Sequence, residues 1–225
     1  MKYKIVEIFD SIEGEGKRAG QPATFIRLAK CNLRCTYCDT TYALGNEYEM
    51  MSIEDILLHL KKRQYNRVTL TGGEPLISPG VEILVHQMLA EGYEVNIETN
   101  GSVDTSFLFQ YMKNMDYESN MRLFFTMDYK LPSSGVSEKM HMCNFTKLHP
   151  WDVLKFVVGS SSDVEHMVEF IRNLTSKPLI YIGAVYNSYE LKNLVRHILE
   201  VPELKDATLQ LQLHKIIWDA SERGV

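Results

Sequence analysis

Short runs rich in β-branched and aromatic residues recur along the chain and alternate with segments whose apolar positions fall three or four apart. Tyr3 to Phe9 and Ala23 to Leu28 read as two early strands, parted by the glycine-bearing stretch SIEGEGKRAGQP, which can continue neither. Ser52 caps a predicted helix whose apolar residues Ile53, Ile56, Leu57 and Leu60 keep helical spacing, with Asp55 three residues beyond the cap. Arg67 to Thr71 follows as a strand and GGEPLISPG as a loop. Val81, Leu84, Val85 and Met88 then restore the helical period until Gly92 stops it.

The alternation continues: Tyr93 to Glu98 as strand, Asp104 to Met112 as helix, then Leu123 to Met127 and Val153 to Val158 as strands. Val164, Met167, Val168 and Ile171 mark another amphipathic helix. Leu179 to Ala184 reads as strand, Leu191, Leu194, Val195 and Ile198 as helix, and Thr208 to Leu213 as a last strand. Strands alternating with helices predict an α/β fold with a mainly parallel sheet, open or curled toward a barrel, whose functional loops follow the strands. Tyr129 to Pro150 lacks a clean period and is expected to be a long loop holding a short helix. No composition shift marks a linker, so residues 1–225 are expected to form one domain.

With 45% hydrophobic and 24% charged residues among 225, the chain has a globular composition, not that of a disordered tail. Its formal net charge of −5 argues against direct binding to nucleic acid. No window approaches the roughly 18 to 20 apolar residues of a membrane span, and MKYKIVEIFD sets charges among its apolar residues. A soluble, mature, cytoplasmic protein is expected. Its 4 cysteines are too few for a disulfide scaffold. Three of them, Cys31, Cys35 and Cys38, crowd one segment, while Cys143 stands apart and is expected to be a bystander.

One short loop can present all three clustered sulfurs to a common centre. Structural zinc wants four ligands, and no second ligand pair lies close in sequence, so a zinc clip would need a distant His or Cys143. A [4Fe–4S] cluster held by three cysteines keeps one iron open for a non-protein ligand. The spacing favours the cluster.

Cys31-x3-Cys35-x-Tyr37-Cys38 resembles the signature of the radical S-adenosylmethionine superfamily, and Thr71-Gly72-Gly73-Glu74-Pro75 resembles its GGE motif. EIFDSIEGEG, PATFIRLAKCNLRCTYCDTTYA, VTLTGGEPL, ETNG, LQLHKIIW and ERGV together resemble one family within it, the 7-carboxy-7-deazaguanine synthases of the 7-deazapurine and queuosine pathway. The resemblance implies a carbon–nitrogen lyase that contracts the ring of 6-carboxy-5,6,7,8-tetrahydropterin and releases ammonia. In that reaction S-adenosylmethionine is cleaved reductively, and its 5′-deoxyadenosyl radical takes and returns a hydrogen. The implied cofactors are a [4Fe–4S] cluster on Cys31, Cys35 and Cys38, S-adenosyl-L-methionine, and Mg²⁺ at Thr40.

Carried onto this chain, the resemblance places Thr36, Tyr37, Asp39, Gly72, Gly73, Glu74, Glu98, Asn100, Lys130 and Ser133 at S-adenosylmethionine. Tyr37 would lie near the adenine, Glu98 at the ribose, and Lys130 or Ser133 at the carboxylate. The glycines would allow close backbone approach to the ligand. Ile12, Glu13, Gly14, Glu15, Gly16, Arg27, Thr71 and His214 are implied at the pterin. Arg27, inside the apolar run FIRL, needs a partner that the substrate carboxylate would supply.

The chain is short for a full eight-stranded barrel of roughly 250 residues, so a partial barrel is expected, and the resemblance implies a (β/α)6-type TIM barrel with a trimmed helix layer. Its uncovered edges predict a homodimer. The pterin and an electron-donating reductase are the other expected partners, and no membrane is. Two other functions are weighed: an activase that installs a glycyl radical on a partner enzyme, and a non-catalytic, zinc-stabilised binding module.

Overall fold

The computed structural model describes residues 1–112, 122–219 and 222–225. The strands are β1 (Lys2–Ile12), β2 (Pro22–Leu28), β3 (Glu49–Ser52), β4 (Arg67–Gly72), β5 (Glu94–Thr99), β6 (Leu123–Tyr129), β7 (Val153–Val158), β8 (Leu179–Ala184) and β9 (Thr208–Leu209). Between them run α1 (Ile53–Leu60), α2 (Val81–Ala90), α3 (Ser106–Met112), α4 (Met142–Phe145), α5 (Ser161–Asn173) and α6 (Leu191–Glu200), with α7 (His214–Ile217) after β9. All nine strands belong to one sheet, ordered β3-β1-β2-β4-β5-β6-β7-β8-β9. β1 pairs antiparallel with β2 and β3, and every pairing from β2 onward is parallel.

Strand alternation sorts the sheet into two chemically distinct faces. Val68 and Leu70 of β4 stand beside Val95 and Ile97 of β5, followed by Leu123, Phe125 and Met127 of β6 and Leu154 and Phe156 of β7. These residues share one buried core with Leu84, Val85 and Met88 of α2 and Val164 and Met167 of α5. On the opposite face Thr69 stands beside Asn96, Glu98 beside Thr126, and Asp128 beside Lys155. One face holds the helices, and the other is a polar lumen.

The ends of the sheet curl toward one another. Leu213 N–H, beyond β9, donates to Gly14 O at 3.1 Å, and Gly16 N–H donates to Gln210 Oε1 at 3.1 Å. A partial barrel results, with six parallel strands of six or seven residues and β9 as a two-residue remnant. The helix layer is thinnest between β6 and β7, where α4 has four residues and the remainder is 3-10 turns and loop, as the sequence pattern predicts.

α1 carries the expected capping box, with Ser52 Oγ accepting from Asp55 N–H while the Asp55 carboxylate accepts from Ser52 N–H. β3 was not expected, because EMMS is too short to show alternation. The last strand is shorter than Thr208 to Leu213, because Leu213 adopts a helical backbone and His214 opens α7 instead of ending a strand. Among the described residues no helix is long and apolar enough to cross a membrane.

Candidate active site

Two cavities lie side by side at the C-terminal ends of the parallel strands. The first, about 510 Å³, is lined by Cys31, Cys35, Cys38, Thr36, Tyr37, Gly73, Asn100 and Lys130. The second, about 410 Å³, is lined by Ile12, Gly14, Glu15, Arg27, Thr71, Glu98 and His214. Asp39, Thr40, Gly72, Lys155, Gln212 and Lys215 line both and form the wall between them.

The cysteine loop is pressed onto the turn that follows β4. Gly73 N–H donates to Leu28 O at 3.1 Å and Glu74 N–H to Lys30 O at 2.8 Å. A Cβ on Gly72 would meet Leu28 O at 2.2 Å, and one on Gly73 would meet Lys30 O at 2.2 Å and Cys31 Cβ at 2.8 Å. Close approach to a ligand was the expected reason for these glycines, but the protein's own backbone already requires them. Burial pushes the Cys31 and Cys35 thiols up. Leu33 N–H at 3.4 Å and the Asn100 amide at 3.6 Å favour the thiolate at Cys31, as the Lys130 charge does at Cys35.

Glu74 lines neither cavity. Its fully buried carboxylate accepts from Leu76 N–H, Thr99 Oγ1 and Asn100 N–H at 2.7–3.0 Å and so fixes Asn100 beside Cys31. Ser133 also lies outside the first cavity, because Asp163 takes both its hydroxyl and its N–H. That anchor holds the 133–134 turn, whose carbonyls accept from Thr36 Oγ1 at 2.6 Å and Thr36 N–H at 3.0 Å. Ser133 and Thr36 thus brace the cysteine loop.

In the first cavity two buried polar atoms lack a hydrogen-bond partner among the described residues: the Tyr37 hydroxyl and Asp128 Oδ1. Burial pushes the Tyr37 phenol far up, so it is a neutral donor. A lone donor and a lone acceptor facing one cavity are what a polar ligand would satisfy. The Lys130 ammonium lies 2.8 Å from Asp128 Oδ2; burial pulls its pKa down, but the Asp128 and Cys35 charges outweigh burial and raise it.

The second cavity has an aromatic wall, where Phe9 stacks on Phe25 with centroids 5.0 Å apart. Arg27 already has a counter-charge inside the protein: its Nε donates to Glu7 Oε1 at 2.6 Å, and Tyr42 Oη donates to the same oxygen at 2.9 Å. The partner the sequence reading required is therefore Glu7, and the Nη1 and Nη2 edge is what Arg27 offers a ligand. Glu98 accepts from Thr71 Oγ1 at 2.8 Å and lines this cavity, not the first, where the resemblance had placed it at a ribose. A Cβ on Gly14 would meet His214 Nδ1 at 2.5 Å, so the glycine makes room for the ring. Burial lowers the His214 pKa and keeps the ring neutral. Glu13 and Gly16 lie outside both cavities. Glu13, 1% exposed, accepts from Arg18 at 2.7 Å and from Thr69 Oγ1, so its carboxylate is occupied.

Thr40 Oγ1 donates to Asp39 Oδ1 at 3.0 Å, while Lys215 Nζ lies 3.1 Å from Asp39 Oδ2 and 2.9 Å from Gln212 Oε1. Neither Lys215 nor Gln212 was singled out from sequence, nor were Asp128 and Lys155 of the lumen. Lys155 in VLKFVV did carry a signal, a lone charge within an apolar strand like Arg27 in FIRL.

Three thiols around one cavity, with amide donors at Cys31 and a glycine turn behind, suit an iron–sulfur cluster. Among the described residues no three His, Cys, Asp or Glu side chains converge at the spacing of a single metal ion.

A family profile described as Radical SAM superfamily matches residues 25–123. A 7-carboxy-7-deazaguanine synthase from Clostridium acetobutylicum is 43% identical over 230 residues, covering 100% of both chains. Another, from Chlorobaculum tepidum, is 35% identical over 226 residues and covers 98% of this chain and 96% of its own. The crystal structure of QueE from Escherichia coli superposes with a TM-score of 0.74 at 21% identity, covering 94% of each chain. That likeness is one of fold. The superfamily profile and the three-cysteine motif place the chain among radical S-adenosylmethionine proteins. Within that class, it belongs to the 7-carboxy-7-deazaguanine synthase family.

Proposed function

We propose that this chain is itself a 7-carboxy-7-deazaguanine synthase, a lyase that contracts the ring of 6-carboxy-5,6,7,8-tetrahydropterin with loss of ammonia. The observation that carries the reading is the pair of abutting cavities, one with the three thiols and the other with an aromatic wall, an arginine edge and the carboxylates of Glu15 and Glu98. Cys31, Cys35 and Cys38 would hold the [4Fe–4S] cluster, which when bound with S-adenosylmethionine supplies the radical that takes and returns the substrate hydrogen. Lys130 offers its ammonium to the cofactor carboxylate, and Tyr37 offers its unpaired hydroxyl. Gly72 and Gly73 present the backbone at the cavity floor.

In the second cavity Phe9 and Phe25 give the flat pterin a stacking wall, and Glu15 accepts from its guanidine-like edge. Arg27, pinned by Glu7 at Nε, directs its remaining fork at the substrate carboxylate. Neutral His214 orients the ring without adding charge, and Glu98, held by Thr71, is reassigned here from the cofactor. Thr40, with Asp39 beside it on the shared wall, would hold Mg²⁺, which would supply positive charge to an anionic substrate. Residues 1–225 act as one domain in this reading. A soluble cytoplasmic homodimer covers the apolar edge beside β9, where Leu211, Ile216 and Ile217 are exposed, and a reductase supplies electrons.

Anaerobic turnover of the pterin by reduced, reconstituted protein tests the reading. Ammonia and 7-carboxy-7-deazaguanine should appear together, and alanine at Cys31, Cys35 or Cys38 should abolish both the brown absorbance and turnover. Cys143→Ala should change neither. Hydrogen loss from a protein glycine with no pterin turnover would install the activase instead, and one zinc per chain without sulfide would install the binding module.

A further inference from the structure

The wall between the cavities contains an alternating chain of charge. Lys155 Nζ, on β7, lies 2.9 Å from Glu15 Oε2 and 3.8 Å from Asp128 Oδ2, and the same Asp128 oxygen holds Lys130 Nζ at 2.8 Å. Glu15 lines the second cavity, Asp128 and Lys130 line the first, and Lys155 lines both. All four side chains are only 12–15% exposed, so their attractions are weakly screened and none can change partner without affecting the next. The other Glu15 oxygen is weakly held, 3.4 Å from Gln210 Nε2.

We propose that Lys155 is the positioning residue through which occupancy of the pterin cavity sets how tightly the first cavity binds S-adenosylmethionine. The inference rests on the assignment of the two cavities made above. When a guanidine-like edge donates to Glu15, the Glu15 carboxylate no longer depends on Lys155. The ammonium then turns from its 2.9 Å partner toward Asp128, already within 3.8 Å. Asp128, neutralised from that side, loosens its hold on Lys130, which is freed for the cofactor carboxylate. The reverse order works equally: a carboxylate that draws Lys130 away leaves Asp128 to Lys155 and opens Glu15 to the pterin. Reciprocity between the two affinities is a thermodynamic requirement.

The test is equilibrium dialysis of S-adenosylmethionine against anaerobic, cluster-loaded protein in its oxidised state, where no cleavage occurs. It is run with and without saturating 6-carboxypterin, the fully oxidised, unreactive form of the substrate. Wild type should bind S-adenosylmethionine on the order of 10-fold more tightly with the pterin present. In Lys155→Met, Asp128 keeps Lys130 whatever fills the second cavity, so affinity should stay at the weaker, pterin-free level in both conditions. Asp128→Asn weakens the hold on Lys130 from the outset. It should bind at the tighter level without pterin and gain nothing from it.

A structural ion pair would lower the melting temperature in both variants and leave the wild-type ratio unchanged. An unchanged ratio in Lys155→Met, or in Asp128→Asn should the first variant not fold, overturns the inference. A wild-type ratio near one, with both ligands bound, overturns it while leaving the function standing. Failure of 6-carboxypterin to bind at all overturns the function and the inference together.

Discussion

Replacing Gly73 with alanine puts a methyl group where the cysteine loop already lies. The new Cβ would stand 2.2 Å from Lys30 O, 2.5 Å from Lys30 C and 2.8 Å from Cys31 Cβ. The obstacles are backbone and the ligand residue itself, so no rotamer change relieves the clash. The loop cannot simply retreat either: Gly73 N–H is bound to Leu28 O, Glu74 N–H to Lys30 O, and Lys30 N–H to Ala43 O at 2.7 Å. Overpacking plus one or two weakened hydrogen bonds sums to roughly 2 to 5 kcal/mol. For a chain of this size that is a melting shift of roughly 4 to 20 °C. Calorimetry of the apoprotein and iron and sulfide analysis after anaerobic reconstitution should both register the loss, because Cys31 moves with the loop. Gly45→Ala is the control, its Cβ meeting only Tyr42 O at 3.4 Å. Full iron loading in Gly73→Ala, with a melting temperature within about 2 °C of wild type, less than 1 kcal/mol is worth, would refute the account of this turn.

Burial raises the Glu74 carboxyl from 4.5 to about 7 against three donors. Its stabilising protonated form is fully present below the unfolded pKa and lost as pH rises through 7, a fall of about 3 kcal/mol. Urea unfolding of apoprotein at about pH 5 and about pH 8 should show that fall, and Glu74→Gln should remove it; an equal slope in the variant assigns the effect elsewhere. Arg27→Lys keeps a charge for Glu7 but cannot serve Glu7 and a ligand together, so pterin affinity should drop on the order of 10-fold or more. Its melting temperature should change little, and the reverse pattern would make Arg27 structural. Tyr37→Phe removes a buried hydroxyl that has no partner among the described residues, so the apoprotein should be as stable as wild type or slightly more so. Its affinity for S-adenosylmethionine, measured by dialysis, should fall, and unchanged affinity would mean that the hydroxyl does not meet the ligand.

The sheet was legible because Val68 and Leu70, Val95 and Ile97, and Leu154 and Phe156 repeat with the strand period and are followed by helices with clear apolar stripes. What could not be read was which polar residues meet across the lumen. Lys155 and Glu15 are 140 residues apart, and only the curl that brings the β1 loop to the far strands pairs them. Which cavity Glu98 lines was hidden for the same reason: Thr71 on the neighbouring strand holds its carboxylate toward the second cavity, and register is a tertiary fact. Glu74 carries a motif position and the resemblance implied Ser133 at the cofactor, yet their side chains are taken by backbone donors and by Asp163, contacts that no local pattern encodes. Arg27 in its apolar run signalled the need for a counter-charge, but not that Glu7 supplies one, because Glu7 lies on an antiparallel neighbour whose bulged register the sequence does not reveal.

The division of each central strand between a core face and a lumen face bears on how such a scaffold can diversify. Thr69, Thr71, Asn96, Glu98 and Thr126 touch the lumen, so they can be exchanged while the residues packed under α2 and α5 stay fixed. New substrates are therefore within reach by mutating alternate positions alone. The charged members are less free, since losing one of Glu13–Arg18, Glu15–Lys155 or Asp128–Lys130 strands a buried ion. Exchange at the uncharged sites loses a neutral partner's hydrogen bond, such as Thr126 to Asn96 or Thr71 to Glu98, whereas drift at the ionic sites should leave the stronger record of paired changes, readable as covariation between residues as far apart in sequence as Glu15 and Lys155.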